Sequence, residues 1–133
     1  VTSGAAATER ATPTRMAVRL TSPAGVEPVR AEVAVDAGDP VFAGHYPGFP
    51  VLPGVYLVEF VDQAMRLWLD GAPATLLVVE RCRFLRPVYG GDTVEIEINL
   101  SRADRALRSS ASLRTADGAV ADIRLRHDTE VRT

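Results

Sequence analysis

Two side chains able to move protons near neutral pH stand at the ends of the run His45-Tyr46-Pro47-Gly48-Phe49-Pro50-Val51-Leu52-Pro53-Gly54-Val55-Tyr56-Leu57-Val58-Glu59. Histidine is the one side chain whose unperturbed pKa, about 6.5, suits it to act as base and acid at that pH. Glu59 falls near the first turn of an apolar stretch that reads as a helix. Burial there would raise its pKa and the positive helix end would lower it, so its protonation state stays open at this level. Between the two lies Pro53-Gly54-Val55, a helix start whose free N–H groups would suit a carbonyl oxygen gaining negative charge, with a glycine that permits close approach. A base, an acid and an oxyanion donor together suffice to remove a proton next to a carbonyl. Plainer readings stand beside this one: His45 as a structural loop histidine, Gly54 as a turn residue, and Glu59 as part of a solvated stripe with Asp62, Gln63, Arg66 and Asp70, in which Asp62 and Arg66 pair at i,i+4.

The elements that must position these groups follow from spacing. Pro47, Pro50 and Pro53 fix φ and discourage helix before Pro53, so the segment reads as an extended, semi-rigid arm carrying His45. A helix is expected from Gly54 to Leu69, ended near Asp70-Gly71; its apolar residues cover most of its circumference, as in a helix wrapped by other structure. Before the arm, 1–15 is rich in Ala, Thr and Ser without an apolar period and reads as a flexible tail. Met16–Leu20 reads as a short strand and Val29–Val35 as a half-buried one. After the helix the period becomes two: Thr75–Phe84 is apolar-rich, Val94, Ile96, Ile98 and Leu100 alternate with polar residues, Leu107–Leu113 continues more weakly, and Asp117-Gly118 marks a hairpin into Ala119–His127. Two strands, one buried helix and four strands make an α+β domain over 16–133, a curved antiparallel sheet around one central helix.

Composition narrows the function classes. With 133 residues and 47% hydrophobic content the chain suits one domain small enough to gain from a partner subunit. A net charge of -2 argues against nucleic acid as the main ligand. No run is long enough to span a bilayer and no secretory pattern opens the chain, so a cytoplasmic protein without membrane association is expected. Every basic residue is arginine, which excludes lysine Schiff-base chemistry and a P-loop. The single cysteine, Cys82, excludes an internal disulfide and a multi-cysteine zinc site, and is expected in the core as a small hydrophobe.

The central run resembles the active-site signature of the hot-dog fold 3-hydroxyacyl-[acyl-carrier-protein] dehydratases, His-Phe-Pro-Gly-x-Pro-x-Met-Pro-Gly-Val-Leu-x-x-Glu with a glutamine four residues later. His45, Pro47, Gly48, Pro50, Pro53, Gly54, Val55, Glu59 and Gln63 match in register. Arg83-Phe84-Leu85-Arg86-Pro87-Val88 and Gly91-Asp92 resemble the family's Phe-x-x-Pro-Val-x-x-Gly-Asp strand and turn. The resemblance implies a hot-dog domain in a homodimer with shared active sites, His45 acting as base on the α-carbon and Glu59 of the other subunit protonating the departing β-hydroxyl. It further implies that the Gly54 amide holds the thioester carbonyl, that Gln63 orients Glu59, and that Phe49 and Tyr56 line the substrate. No metal or redox cofactor is implied; the substrate rides on the phosphopantetheine of an acyl carrier protein, and the product is a trans-2-enoyl thioester.

Departures shape the expectation. Tyr46, Leu52 and Tyr56 replace the family's phenylalanine, methionine and leucine, and the usual N-terminal segment is missing. That points away from the housekeeping fatty acid biosynthesis enzyme toward a specialised member, as in polyketide biosynthesis. Glutamate at position 59 favours a simple dehydratase over one that also isomerises. Arg81, Arg83 and Arg86 along one strand, or Arg102, Arg105 and Arg108 around a turn, are candidates for carrier-protein docking, with a solvated face as the alternative. His127 has no motif around it and reads as a surface residue. Two rival functions remain: a hot-dog acyl thioesterase, against which His45 argues, and a non-catalytic acyl-binding subunit.

Overall fold

Alternating burial builds the sheet. In the computed structural model, which describes residues 16–42, 51–103 and 105–129, the strands are β1 (Val18–Leu20), β2 (Val29–Ala34), β3 (Thr75–Phe84), β4 (Thr93–Ala103), β5 (Ala106–Thr115) and β6 (Gly118–Asp128), with a central helix over Val55–Leu69 between β2 and β3. They form one six-stranded sheet in the order β1-β2-β4-β5-β6-β3, antiparallel at every pairing. Val29, Ala31 and Val33 of β2, Val94, Ile96 and Ile98 of β4, Leu107, Ala111 and Leu113 of β5, and Ala121, Ile123 and Leu125 of β6 are buried, while their neighbours in sequence are mostly exposed or half-buried. The period of two therefore selects one face of each strand for the core.

The helix fills that face with Leu57, Phe60, Val61, Ala64, Met65 and Trp68. Burying its large apolar side chains stabilises the domain by about 1.5–3 kcal/mol each. The helix ends where Asp70 adopts a left-handed conformation (φ 53°) and its N–H reaches the carbonyls of Arg66 and Leu67. Gly71 follows at φ +91°, a backbone that glycine tolerates and other residues resist. Trp68 Nε1 donates to the Val26 carbonyl at 2.9 Å, tying the β1–β2 connection to this end.

The α+β architecture, element order and Asp117-Gly118 hairpin agree with expectation, the hairpin pairing Thr115 with Gly118. One reading needs correction. Cys82 is exposed, not in the core, because β3 lies at the sheet edge and pairs only with β6. For the same reason the apolar residues of β3 stay uncovered: Leu77, Val79 and Phe84 are exposed. Among the described residues, Val55 and Leu67 of the helix are exposed. The expected 1–15 tail, His45 and Phe49 lie outside the described residues.

Candidate active site

The helix start is held by the segment before it and by the β3–β4 connection. Leu52 N–H donates to the Val88 carbonyl at 2.8 Å, and Val51 bridges Tyr89. Gly54 is the N-cap residue and has no side chain with which to cap. Its carbonyl accepts from Leu57 N–H at 2.9 Å, and the Pro53 carbonyl accepts from Tyr56 N–H at 3.0 Å. The N–H groups of Tyr56 and Leu57 are thus engaged within the first turn, and the N–H groups of Gly54 and Val55, for which the described residues offer no partner, are the ones an acceptor would meet, at the end of the helix where its dipole favours negative charge. Beside them opens a cleft of about 430 Å³, lined mainly by apolar side chains including Val51, Leu52, Val55, Leu57, Leu85 and Val88.

Glu59 lies one turn further along, exposed. Gln63 Nε2 donates to Glu59 Oε2 at 3.2 Å, the i,i+4 geometry that fixes a carboxylate's orientation along a helix. Gly54, Glu59 and Gln63 therefore occupy the helix start and its second and third turns. Tyr56 is half-buried and packs against the core. Arg81, Arg83 and Arg86 are all exposed; Arg83 pairs with Asp122 at 3.0 Å, and the Arg86 guanidinium passes close to Gly118. Arg102 pairs with Glu27 at 2.9 Å, Arg105 with Asp128 at 3.9 Å and Arg108 with Glu80 at 3.2 Å.

His127 requires correction: it is fully buried, and its Nε2 meets Asp62 Oδ1 at 2.7 Å. The phase of β6 that buries Ile123 and Leu125 also turns His127 inward, a signal present in the sequence as a continuation of that alternation. Asp62 Oδ2 accepts from Arg66 Nε at 3.0 Å, which agrees with the expected i,i+4 pair. Burial pushes the Asp62 carboxyl toward its neutral form, but the His127 hydrogen bond, with the charge and hydrogen bond of Arg66, holds it below the usual carboxylate range. Sequence reasoning missed this pair because its two members are far apart in the chain and meet only when β6 packs on the helix.

A family model described as ApeI-like, ApeI dehydratase, matches residues 22–122. Among curated relatives, the 3-hydroxyacyl-[acyl-carrier-protein] dehydratase FabZ of Thermomicrobium roseum is 34% identical over 93 residues, 65% of this chain and 62% of the relative. That of Solibacter usitatus is 37% identical over 93 residues, 65% of this chain and 57% of the relative. The chain thus spans about three fifths of the length of these relatives. Among solved structures, the dehydratase heterocomplex ApeI:P from Xenorhabdus doucetiae superposes with a TM-score of 0.66 at 22% identity, over 83% of this chain and 94% of that one. A hypothetical thioesterase with coenzyme A from Streptococcus pneumoniae reaches 0.66 at 15% identity, over 84% of each chain. These superpositions show the hot-dog fold, which hosts more than one chemistry.

Proposed function

The chain belongs to the ApeI-like dehydratase family, and from that premise we propose that it removes water from a 3-hydroxyacyl thioester carried on acyl carrier protein, giving the trans-2-enoyl thioester. The observation that carries the reading is the arrangement at the helix start. An exposed carboxylate, Glu59, is oriented by Gln63 at 3.2 Å one turn beyond an uncapped N-terminus at Gly54, beside an apolar cleft.

In this reaction the thioester carbonyl oxygen accepts a hydrogen bond at the Gly54 end of the helix, where charge developing on that oxygen is stabilised. That polarisation acidifies the α-carbon. His45 takes the α-proton on its imidazole, the electron pair forms the α,β double bond, and the β-hydroxyl departs as water with a proton delivered through the Glu59 carboxyl group. One proton is taken and one given, so a transfer from imidazolium to carboxylate restores the starting state. The chemistry draws on these acid–base groups, with no redox step and no cofactor, and belongs in the cytoplasm. Phe49 and Tyr56 would line the acyl chain, and Arg81, Arg83 and Arg86 would receive the acidic carrier protein.

A homodimer is part of the proposal. β3 presents an unpaired edge bearing exposed Leu77 and Val79, the kind of edge that a second strand completes. A continuous sheet across two copies would let the arm of one chain present His45 to Glu59 of the other. Fatty acid and polyketide intermediates are both substrates of the proposed class. Among the described residues no helix is long and apolar enough to cross a membrane.

The test is to incubate the protein with 3-hydroxyacyl and enoyl carrier-protein thioesters and follow gain or loss of one water by mass. Interconversion that falls by about 10²–10⁴-fold in His45→Ala and Glu59→Gln supports the proposal. Release of free acid would indicate a thioesterase instead, and acyl binding without turnover a structural subunit.

A further inference from the structure

Gly54 has an ordinary right-handed helical backbone, φ -58° and ψ -28°, which any L-residue adopts without strain. Its backbone therefore does not demand glycine; the space beside it does. A Cβ built on Gly54 would stand 2.7 Å from Phe84 Cζ and 2.9 Å from Cε1 and Cε2, far inside van der Waals contact. Phe84 ends β3 and presses the tip of its ring against the first residue of the helix start. The ring is no part of the core: Phe84 is 51% exposed. It borders the cleft that also contains Val55, Leu57, Leu85 and Pro87. An aromatic side chain half in solvent, set against a glycine at the open end of a helix, is placed by something other than core packing.

We infer that Phe84 is a specificity-determining residue whose ring walls the slot over the Gly54 amide, admitting acyl thioesters with an unsubstituted α-carbon and discriminating against those with an α-methyl branch. The inference rests on the dehydratase reading above. A thioester oxygen bonded to the Gly54 N–H sets the α-carbon only two bonds from that oxygen, next to the Gly54 Cα that the ring tip already touches. A methyl group on that side has no free volume unless the ring moves. The branched substrate still carries one α-proton, so its exclusion is steric and not chemical. One methyl group in a close apolar contact is worth roughly 10–200-fold in kcat/KM.

The experiment compares pantetheine thioesters of a straight-chain 3-hydroxy acid and its 2-methyl analogue, as resolved stereoisomers, with the wild type, Phe84→Leu and Phe84→Ala, each checked for its oligomeric state. The wild type is expected to prefer the straight chain by at least about tenfold, Phe84→Ala to lose most of that preference, and Phe84→Leu to fall between. A preference equal in wild type and Phe84→Ala would overturn the assignment. A second pair addresses the contact itself: Gly54→Ala is expected to depress turnover of the straight chain, and Gly54→Ala with Phe84→Ala to recover part of it, a coupling that independent residues do not show. Equal loss with and without the ring would also overturn the assignment. No water loss from the straight-chain thioester in the wild type would remove the dehydratase reading and the slot with it; an active wild type with an unmoved preference removes the slot alone.

Discussion

Glu59 and Asp62 are carboxylates on the same polar stripe of one helix, three positions apart, and the fold gives them opposite circumstances. Glu59 faces outward at the helix start with a neutral amide donor, Gln63, at 3.2 Å. Asp62 is 8% exposed and bound on both oxygens, to His127 and to Arg66. One carboxylate is exposed, while the other joins the helix to β6. A buried carboxylate without its partners would carry a large desolvation penalty, so Asp62 and His127 stand or fall together. The comparison shows how a polar stripe that looks uniform in sequence divides into an exposed half, where the proposed acid lies, and a buried, paired half.

The largest effect should come from the proposed acid. Glu59→Gln keeps shape and the exposed position, so dehydration is expected to fall by about 10²–10⁴-fold while the denaturant midpoint moves by no more than about 0.5 kcal/mol in stability. An equal loss of activity in Asp62→Asn with retained stability would dissolve the distinction. Next comes His127→Ala, which opens a cavity and strips Asp62 of its buried partner. Arg66 still pairs with Asp62, so the cost should lie near the lower end for a broken buried pair, about 3 kcal/mol by urea unfolding; a change within about 0.5 kcal/mol would mean that the pair contributes nothing to the join.

A third test sharpens the contrast between the closed β5–β6 side and the open β3 edge. Leu77→Lys with Val79→Lys puts charge on the exposed edge and is expected to shift the proposed dimer toward monomer by sedimentation, with parallel loss of activity. Ser110→Lys on the exposed face of β5, away from that edge, should leave assembly unchanged. The smallest effect is in pH. The folded-state pKa of Asp62 lies below the usual carboxylate range, so its contribution to stability is present above that range and is lost as pH falls through the lower folded value. Unfolding midpoints measured from about pH 6 down to pH 2 should therefore decline less steeply in Asp62→Asn than in the wild type. Equal slopes would show that Asp62 ionises alike in both states.

Much of the fold was readable because it rests on local periods. Val94, Ile96 and Ile98 announce their buried face by alternation alone, and the helix declares itself through its apolar spacing and the glycine beyond its end. The candidate site was readable as a register of residues: Gly54, Glu59 and Gln63 fall where the dehydratase signature places them, and the helix sets Glu59 and Gln63 side by side. Cys82 and His127 were misread for one shared reason. Whether a strand residue is covered depends on which strand lies beside it and on what packs across the sheet: nothing near Cys82 marks β3 as an edge, and beside His127 the alternation of β6 gives the inward phase but not the distant Asp62 that makes a buried histidine tolerable.

The amino-acid sequence by itself determined the order of strands and helix, the place of the helix start and the spacing of the acid–base residues, since these follow from backbone preference and periodicity within a few residues. Tertiary structure alone decided that β3 is an edge with its apolar residues uncovered, that Asp62 is buried against His127 while Glu59 stays open, and that Phe84 rests on Gly54. Each of these joins groups far apart in the chain through packing, where volume and desolvation act between elements and leave no period along the sequence.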